Sequence, residues 1–358
     1  ADAHGHQRVA ALDALQLVQG FHRDQRAGGA APLGAPHRLE PTHLGFGKRL
    51  RGRRIMPQVQ IDWVVERSFA PLVQCCTAVQ QVIPCDLRRW RRTPWSAQTR
   101  REWAAFRQAL QTQAYDRVVD LQGLSKSALV SWLAHLTPTG ERHAMARRTE
   151  GSGYEAPTRW VADVTHTQPW HSHACDRGRL LMAQVFNYAL PDTVDFGLRL
   201  PAPTVQADDP VAVTPGTVAL VHGTSRDDKL WPFDHWVALG QRLQAQGHAL
   251  ALPHGNDAEL ARSQALAQAL PGAVVWPRLA LDRMLRPLSH CAGVIGVDSG
   301  PNHLAVALHL PHVQLYNFDT AWRTGPPSVP HQQAVFGQPC PTVDAVWAAW
   351  QVCESAAS

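Results

Sequence analysis

The chain has 358 residues, of which 45% are hydrophobic and 18% are charged, with a formal net charge of +5. This length favours two domains over one core, and the composition excludes a disordered polyelectrolyte. The mild positive charge fits an anionic small substrate or an acidic membrane surface better than a nucleic acid, so we expect no nucleic-acid partner. With no run of about 18 apolar residues and no apolar leader, we expect a cytoplasmic protein.

In the first half, apolar runs predict strands and helical spacing predicts helices. Strands are expected at 60–66, 78–84 and 116–121, and helices at 99–113, 125–136 and 173–190. Residues 137–172 lack clear periodicity. The proline-rich stretch 201–215 predicts a linker.

In the second half, strands and helices alternate more regularly. Strands are expected at 217–222, 248–253, 273–276, 293–297 and 312–316, and helices at 233–246, 257–270, 281–290, 302–309 and 342–353. This alternation predicts an α/β fold of two Rossmann-like domains, with the carboxyl ends of the strands along a cleft. No G-x-G-x-x-G follows a strand, which argues against a dinucleotide oxidoreductase.

The predicted organisation has four parts. They are an atypical N-terminal segment 1–56, a Rossmann-like domain 57–207, a second Rossmann-like domain 208–340 and a C-terminal helix 341–358.

The loop after the strand at 217–222 reads HGTSRDDKLWP. Thr224 and Ser225 could donate to phosphate oxygens, and Lys229 could neutralise a diphosphate leaving group without a metal. The chain has only three lysines, Lys48, Lys126 and Lys229, among many arginines, which singles each of them out. The alternative is a solvated loop with an Asp–Lys pair.

Two more loops follow strands and precede helices. In the first, Asp298-Ser299-Gly300 leads into a helix expected to start near Asn302, where backbone N–H groups attract phosphate, or where Asp298 or Ser299 simply caps the helix. In the second, HGND, Asp257 could hold ribose hydroxyls or act as an N-cap. Seven cysteines without a C-x-x-C pair predict neither a disulfide framework nor a zinc site.

These motifs resemble glycosyltransferase family 9, the ADP-heptose:lipopolysaccharide heptosyltransferases, and most closely its heptosyltransferase I members. HGTSRDDKLWP is similar to the family's H-x-T-[TS]-R-x-D-K-x-W-P, and DSGPNH to its D-[TS]-G-x-x-H. IDWVVE, DLQGLSKS and HACDR in the first half also look like this family. The resemblance covers about 58–350.

The resemblance implies a GT-B fold and transfer of L-glycero-D-manno-heptose from ADP-heptose to Kdo of Kdo2-lipid A, with inversion and without a metal or other cofactor. Asp257 stands where the family usually has Glu near the ribose, and Leu279 where it packs an apolar side chain near the adenine. The implied donor-binding residues are Thr224, Ser225, Lys229, Asp257, Leu279, Asp298, Ser299, Gly300 and His303. Lys229 is the implied catalytic residue for leaving-group stabilisation.

The basic run Arg88, Arg89 and Arg91, with Lys126, suits an acceptor that carries carboxylates and phosphates, because guanidinium groups bind both as forks. We expect these residues to bind the acceptor, with peripheral contact to the cytoplasmic face of the inner membrane. The alternative is a solvated or membrane-facing basic stripe.

The N-terminal segment 1–56 departs from the family. The family opens with an apolar strand and a K-T-S-S-x-G-D turn whose Asp is the proposed general base, and we find no such turn here. We expect the first strand to be missing or malformed, with 9–21 as a helix. A shifted reading frame rejoining near Pro57, true divergence, or an inactive relative would each explain this. A non-catalytic nucleotide-sugar-binding protein and a heptosyltransferase II-like enzyme are therefore the other functions considered.

Overall fold

The computed structural model describes residues 7–12, 59–192, 194–200 and 211–357. Its first parallel sheet is built from β1 (Gln7–Leu12), β2 (Val59–Glu66), β3 (Val79–Cys85), β4 (Tyr115–Asp120), β5 (Leu136–Met145) and β6 (Val164–His166). The strand order across this sheet is β3-β2-β1-β4-β5-β6. Its helices are α1 (Ala70–Gln74), α2 (Leu87–Arg92), α3 (Ala97–Gln111), α4 (Ser125–Leu133), α5 (Ala156–Val161) and α6 (Ala174–Phe186).

The second sheet is also parallel. Its strands are β7 (Val218–Val221), β8 (Leu250–Leu252), β9 (Val274–Val275), β10 (Gly293–Val297), β11 (His312–Tyr316) and β12 (Gln332–Phe336), in the order β12-β11-β10-β7-β8-β9. Its helices are α7 (Phe233–Ala245), α8 (Asp257–Ala269), α9 (Leu281–Ser289), α10 (Gly300–Ala307), α11 (Ala321–Thr324) and α12 (Val343–Ala357).

The first strand corrects a sequence expectation. β1 pairs in parallel with β2 on one side and β4 on the other, so it is a central strand of the first sheet rather than a missing one. The Val-Ala-Ala-Leu run within it is short but apolar, and two neighbouring strands satisfy its backbone groups. The helix expected at 9–21 is therefore wrong for residues 9–12, and its remainder lies outside the described residues, as does most of segment 1–56.

Three further strands, β5, β6 and β12, were not predicted, and β5 and β12 show the reason. β5 begins with a polar Leu-Thr-Pro-Thr-Gly stretch, and only its last three residues, His143 to Met145, are buried. β12 is an edge strand in which only Gln332 is buried, and its other side chains alternate between half-buried and exposed positions. Neighbouring strands, more than local propensity, select both segments. The proposed boundary at 207/208 falls outside the described residues.

Buried tryptophans dominate the core of the second sheet. Trp231, Trp236 and Trp350 are fully buried together with leucines and valines of β7, β8, β10 and β11. The rings of Trp231 and Trp236 meet edge to face at 4.9 Å. Because Trp231 ends the HGTSRDDKLW loop, this core fixes that loop against the sheet.

Candidate active site

The loop after β7 is held at several points. Trp231 Nε1 donates to the carbonyl oxygen of Pro341 at 2.8 Å. Asn317 Nδ2 donates to the carbonyl oxygens of Asp228 at 2.9 Å and Leu230 at 3.0 Å, on either side of Lys229. The backbone around Lys229 is therefore fixed before any ligand binds.

Lys229 forms an ion pair with Asp298. Its Nζ lies 2.7 Å from Asp298 Oδ2, and the two side chains are 16% and 3% exposed. Of the loop's two aspartates, Asp228 pairs with Arg226 instead. The alternative of a solvated Asp–Lys pair within the loop is therefore wrong for Lys229, and the structure joins the two most specific sequence motifs at one point.

Several other side chains surround Asp298. Gln314 Nε2 donates to Asp298 Oδ1 at 3.3 Å, and His303 Nε2 lies 3.7 Å from the same oxygen. Thr224 Oγ1 donates to the backbone carbonyl of Asp298 at 3.2 Å. Burial lowers the pKa of His303, whereas the Asp298 carboxylate raises it. Gln314 and its partner Tyr316 were not singled out in the sequence, because their polar atoms lie within a strand that reads as buried core.

The start of α10 lies beside this ion pair. The helix begins at Gly300, two residues earlier than expected, with Ser299 as its N-cap. No side-chain capping bond is made there, and the Asp298 carboxylate is occupied by Lys229 and Gln314. Simple capping by either side chain is therefore wrong, and the helix N-terminus adds a favourable site for phosphate.

The loop after β8 differs from expectation. Asp257 is exposed, and Asn256, rather than Asp257, caps α8 by accepting from the Glu259 N–H at 2.9 Å. Glu259 Oε2 accepts from the Gly255 N–H at 2.7 Å. A Cβ built on Gly223 would come within 2.4 Å of Glu259 Cδ, so this carboxylate lies against the loop after β7. The sequence signal for Glu259 was the N-x-x-E spacing, which is typical of a capping box.

Two other predicted donor residues have different environments. Ser225 is exposed on the loop beside Thr224. Leu279 is half-buried and packs against the apolar cluster beneath α9 and α10. Among the residues that the structure describes, neither side chain has a specific polar contact that would assign it a role.

The basic run on α2 divides into two kinds of residue. Arg88 and Arg91 are exposed. Arg89 donates to Asp86 Oδ2 at 2.6 Å and also bonds Glu102, which accepts from Trp90 Nε1 at 2.7 Å. Arg89 therefore ties α2 to α3, whereas Arg88, Arg91 and Arg92 leave their guanidinium groups at the surface.

Lys126 lies near the carboxyl edge of the first sheet. It begins α4 together with Ser125, whose backbone N–H donates to Glu155 at 2.7 Å. Glu66, at the end of β2, has a buried Oε1 without a hydrogen-bond partner among the described residues. Burial raises the pKa of Glu66, whereas the positive charges of Lys126 and Arg88 lower it.

No group of three or more His, Cys, Asp or Glu side chains within the described ranges is arranged to hold a metal ion. The same part of the chain contains no helix long and apolar enough to cross a membrane.

Comparison with known proteins decides the family. The family model "Glycosyltransferase family 9 (heptosyltransferase)" matches residues 103–343. The chain belongs to glycosyltransferase family 9. Among its family 9 relatives, lipopolysaccharide heptosyltransferase 1 of Pseudomonas aeruginosa is 37% identical over 267 residues, covering 74% of this chain and 71% of the relative. The Escherichia coli K12 protein of the same name is 35% identical over 271 residues, covering 74% and 80%.

Solved structures of family 9 agree. E. coli heptosyltransferase WaaC with ADP superimposes with a TM-score of 0.73 at 27% identity, covering 98% of this chain and 100% of that one. E. coli ADP-heptose lps heptosyltransferase II gives 0.62 at 15% identity, covering 96% and 98%, a likeness of fold. The predicted α/β GT-B fold and membership of a glycosyltransferase family are thereby confirmed.

Proposed function

We propose that this chain transfers L-glycero-D-manno-heptose from ADP-heptose to a Kdo sugar of Kdo2-lipid A, with inversion at the anomeric carbon. The observation that carries this proposal is the Lys229–Asp298 pair beside the start of α10, in a fold shared with a heptosyltransferase solved with ADP. Further support comes from a WaaC structure with ADP-2-deoxy-2-fluoro heptose, which is 28% identical and has a TM-score of 0.70.

In this proposal the second sheet binds the donor. Lys229 neutralises the diphosphate as the glycosidic bond to it breaks, and Thr224, Ser225 and the N-terminus of α10 donate to phosphate oxygens. The remaining donor contacts fall to Asp298, Ser299, Gly300 and His303 around the phosphates and the heptose, to Leu279 beside the adenine, and to a carboxylate of α8 at the ribose. Glu259 is better placed than Asp257 for that last contact, because it lies between the two strand-end loops.

The acceptor then occupies the carboxyl edge of the first sheet. Arg88, Arg91 and Lys126 present positive charge to its carboxylates and phosphates. Arg89 supports the helix that carries Arg88 and Arg91. We propose the domain limits given above, 57–207 for the acceptor and 208–340 for the donor. The chain would act in the cytoplasm, in peripheral contact with the inner membrane through its basic surface and the exposed Trp95.

The experiment that tests this function supplies purified chain with ADP-heptose and Kdo2-lipid A. ADP release, with a mass increase of one heptose on the acceptor, is the expected result. A parallel reaction with acceptor that already carries one heptose tests the heptosyltransferase II-like alternative. Heptose transfer to that acceptor alone would overturn the assignment.

A specific observation favours a second function, binding of the nucleotide sugar without transfer. The K-T-S-S-x-G-D turn and its general base have no counterpart in the sequence, whereas the donor loops are complete. ADP binding in calorimetry together with no ADP release in the transfer assay would establish this second function. Normal turnover of ADP-heptose would exclude it, together with the sequence-based explanation that the chain is an inactive relative.

A further inference from the structure

A histidine bridges the two halves of the chain close to the donor site. His173 is the N-cap of α6 in the first half, and its Nδ1 accepts from the Cys175 N–H at 3.2 Å. Its Nε2 lies 2.9 Å from the carbonyl oxygen of Gly325, which follows α11 in the second half. Since Nδ1 accepts, Nε2 must carry the proton and donate, so one neutral tautomer satisfies both contacts.

The surroundings of His173 favour this neutral form. Burial lowers the pKa of His173, and Arg177 on its own helix also lowers it, whereas the Gly325 carbonyl and Asp176 raise it. His303 of α10, in the second half, lines the same cavity as His173, whose charge lowers the pKa of His303. A protonated ring would turn Nδ1 into a donor against the Cys175 N–H, and the cap would be lost.

The Gly325 carbonyl, which accepts this hydrogen bond, is connected to Asp298 through the residue before it. Thr324, the residue before Gly325, has its Oγ1 3.2 Å from Tyr316 OH, and Tyr316 OH accepts from Gln314 Nε2 at 2.8 Å. Gln314 Nε2 in turn lies 3.3 Å from Asp298 Oδ1. A continuous set of contacts therefore runs from the first half of the chain to the carboxylate that holds Lys229.

A second contact reinforces the same junction. The rings of His171 and Trp322 stack at 3.8 Å. A cavity of about 920 Å³ lies between the halves and is lined by His173, His303 and Gly325, among others. Opening at this junction would thus expose the side of the donor site formed by His303.

We propose that His173 is a positioning residue that holds the first half against α11 and thereby keeps Gln314 and Asp298 oriented for transfer. It does not touch the reacting atoms. The kinetic consequence rests on the proposed function, whereas the structural consequence does not.

His173→Asn separates the two contacts, because asparagine is a good N-cap but cannot reach Gly325. Amide hydrogen exchange is the first measurement. We expect amides of 321–329 to exchange about fivefold faster than in the wild type, with the first turn of α6 still protected. His173→Ala should lose protection in both segments, and His290→Asn, an exposed histidine at the end of α9, should change neither. Unchanged exchange at 321–329 in His173→Asn would overturn the bridge.

Kinetics supply the second measurement. At equal folded fraction, His173→Asn should lower kcat about three- to tenfold while the KM for ADP-heptose stays within twofold, because the donor loops remain in place. Faster exchange with unchanged kcat would overturn the positioning role. If the wild type shows no turnover, the proposed function fails, whereas the exchange experiment still decides the bridge. In that case ADP-heptose protection of 321–329 in the wild type, absent in His173→Asn, replaces kcat as the test of coupling.

Discussion

Lys229 Nζ and Asp298 Oδ2 are 2.7 Å apart although 69 positions separate them in the chain. The pair joins the loop after β7 to the loop after β10, two neighbouring strands of the second sheet. A largely buried ammonium that already has one carboxylate partner is held in place before a ligand binds, which suits the proposed contact of Lys229 with the diphosphate.

Lys229→Met should lower kcat by about 100- to 1000-fold, because the leaving group loses its cation in a site shielded from water. Steady-state ADP release at equal folded fraction checks this. Arg226→Gln, an exposed change in the same loop, serves as the control and should stay near wild type. A Lys229→Met enzyme with wild-type kcat would remove Lys229 from the mechanism.

Glu259 and Asp257 form a matched pair for testing nucleotide contacts. Glu259→Gln should weaken ADP binding about tenfold, since its carboxylate lies against both strand-end loops, whereas Asp257→Asn should have less than a twofold effect. Calorimetric titration with ADP measures both. A larger loss for Asp257→Asn would restore the assignment made from the sequence.

Substitutions of Arg89 and Arg91 should affect different properties: the first the stability of the fold, and the second the binding of the acceptor. Arg89→Gln should lower the melting temperature, because Asp86 and Glu102 lose their shared partner. Arg91→Gln should leave the melting temperature unchanged and raise the acceptor KM about two- to fivefold, as expected for an exposed charge. Thermal unfolding and acceptor kinetics on both variants distinguish the roles, and the reverse pattern would contradict them.

We expect His222 to make the free energy of unfolding depend on pH. Its Nε2 lies 2.7 Å from Ser263 Oγ, and burial lowers its pKa to about 4. Between pH about 6.5 and 4 the unfolded chain binds a proton here that the folded chain does not, so the free energy of unfolding falls as the pH falls. The contribution is about 1.4 kcal/mol per pH unit. Urea unfolding at several pH values should show a smaller slope in His222→Gln, and an equal slope would exclude this origin.

The central position of β1 in the first sheet can be tested with a proline substitution. Ala10→Pro removes an N–H from a strand with neighbours on both sides, and should cost about 3 kcal/mol or more in the first half. The loss of stability should appear as faster hydrogen exchange of the β2 and β4 amides. ADP binding by the second half should be retained. Unchanged exchange in β2 and β4 would contradict the central position of β1.

The sequence predicted most of the second sheet, because its strands are short apolar runs that end in Gly, Asp or His at a common edge. It placed Lys229 and Asp298 in one site without showing that they pair with each other. Glu259 escaped notice because Asp257 comes earlier in the same helix and has the same charge. Which of the two carboxylates faces the loops depends on their positions around the helix and on the space left by Gly223.

The first half was harder to predict. β5 reads as a polar segment, and β1 lies in a stretch with no resemblance to the family; both are strands because of the strands beside them. Likewise, the arginines of α2 received the same predicted role from the sequence, and only the contacts of Arg89 with Asp86 and Glu102 distinguish it from the others. Contacts between distant residues decide such cases, and local composition does not record them.

The pairing of β1 also sets an order of assembly during synthesis. Val9 pairs with both Ile61 and Arg117, so β1 leaves the ribosome long before either neighbour exists. Closing such distant strand pairs is slow, and an unpaired strand edge is prone to aggregate. The second half has a shorter wait of the same kind, because Val218 of β7 pairs with Gly293 of β10, 75 positions later, whereas 108 positions separate Val9 from Arg117. We therefore expect the nascent first half to depend more on chaperones than the second.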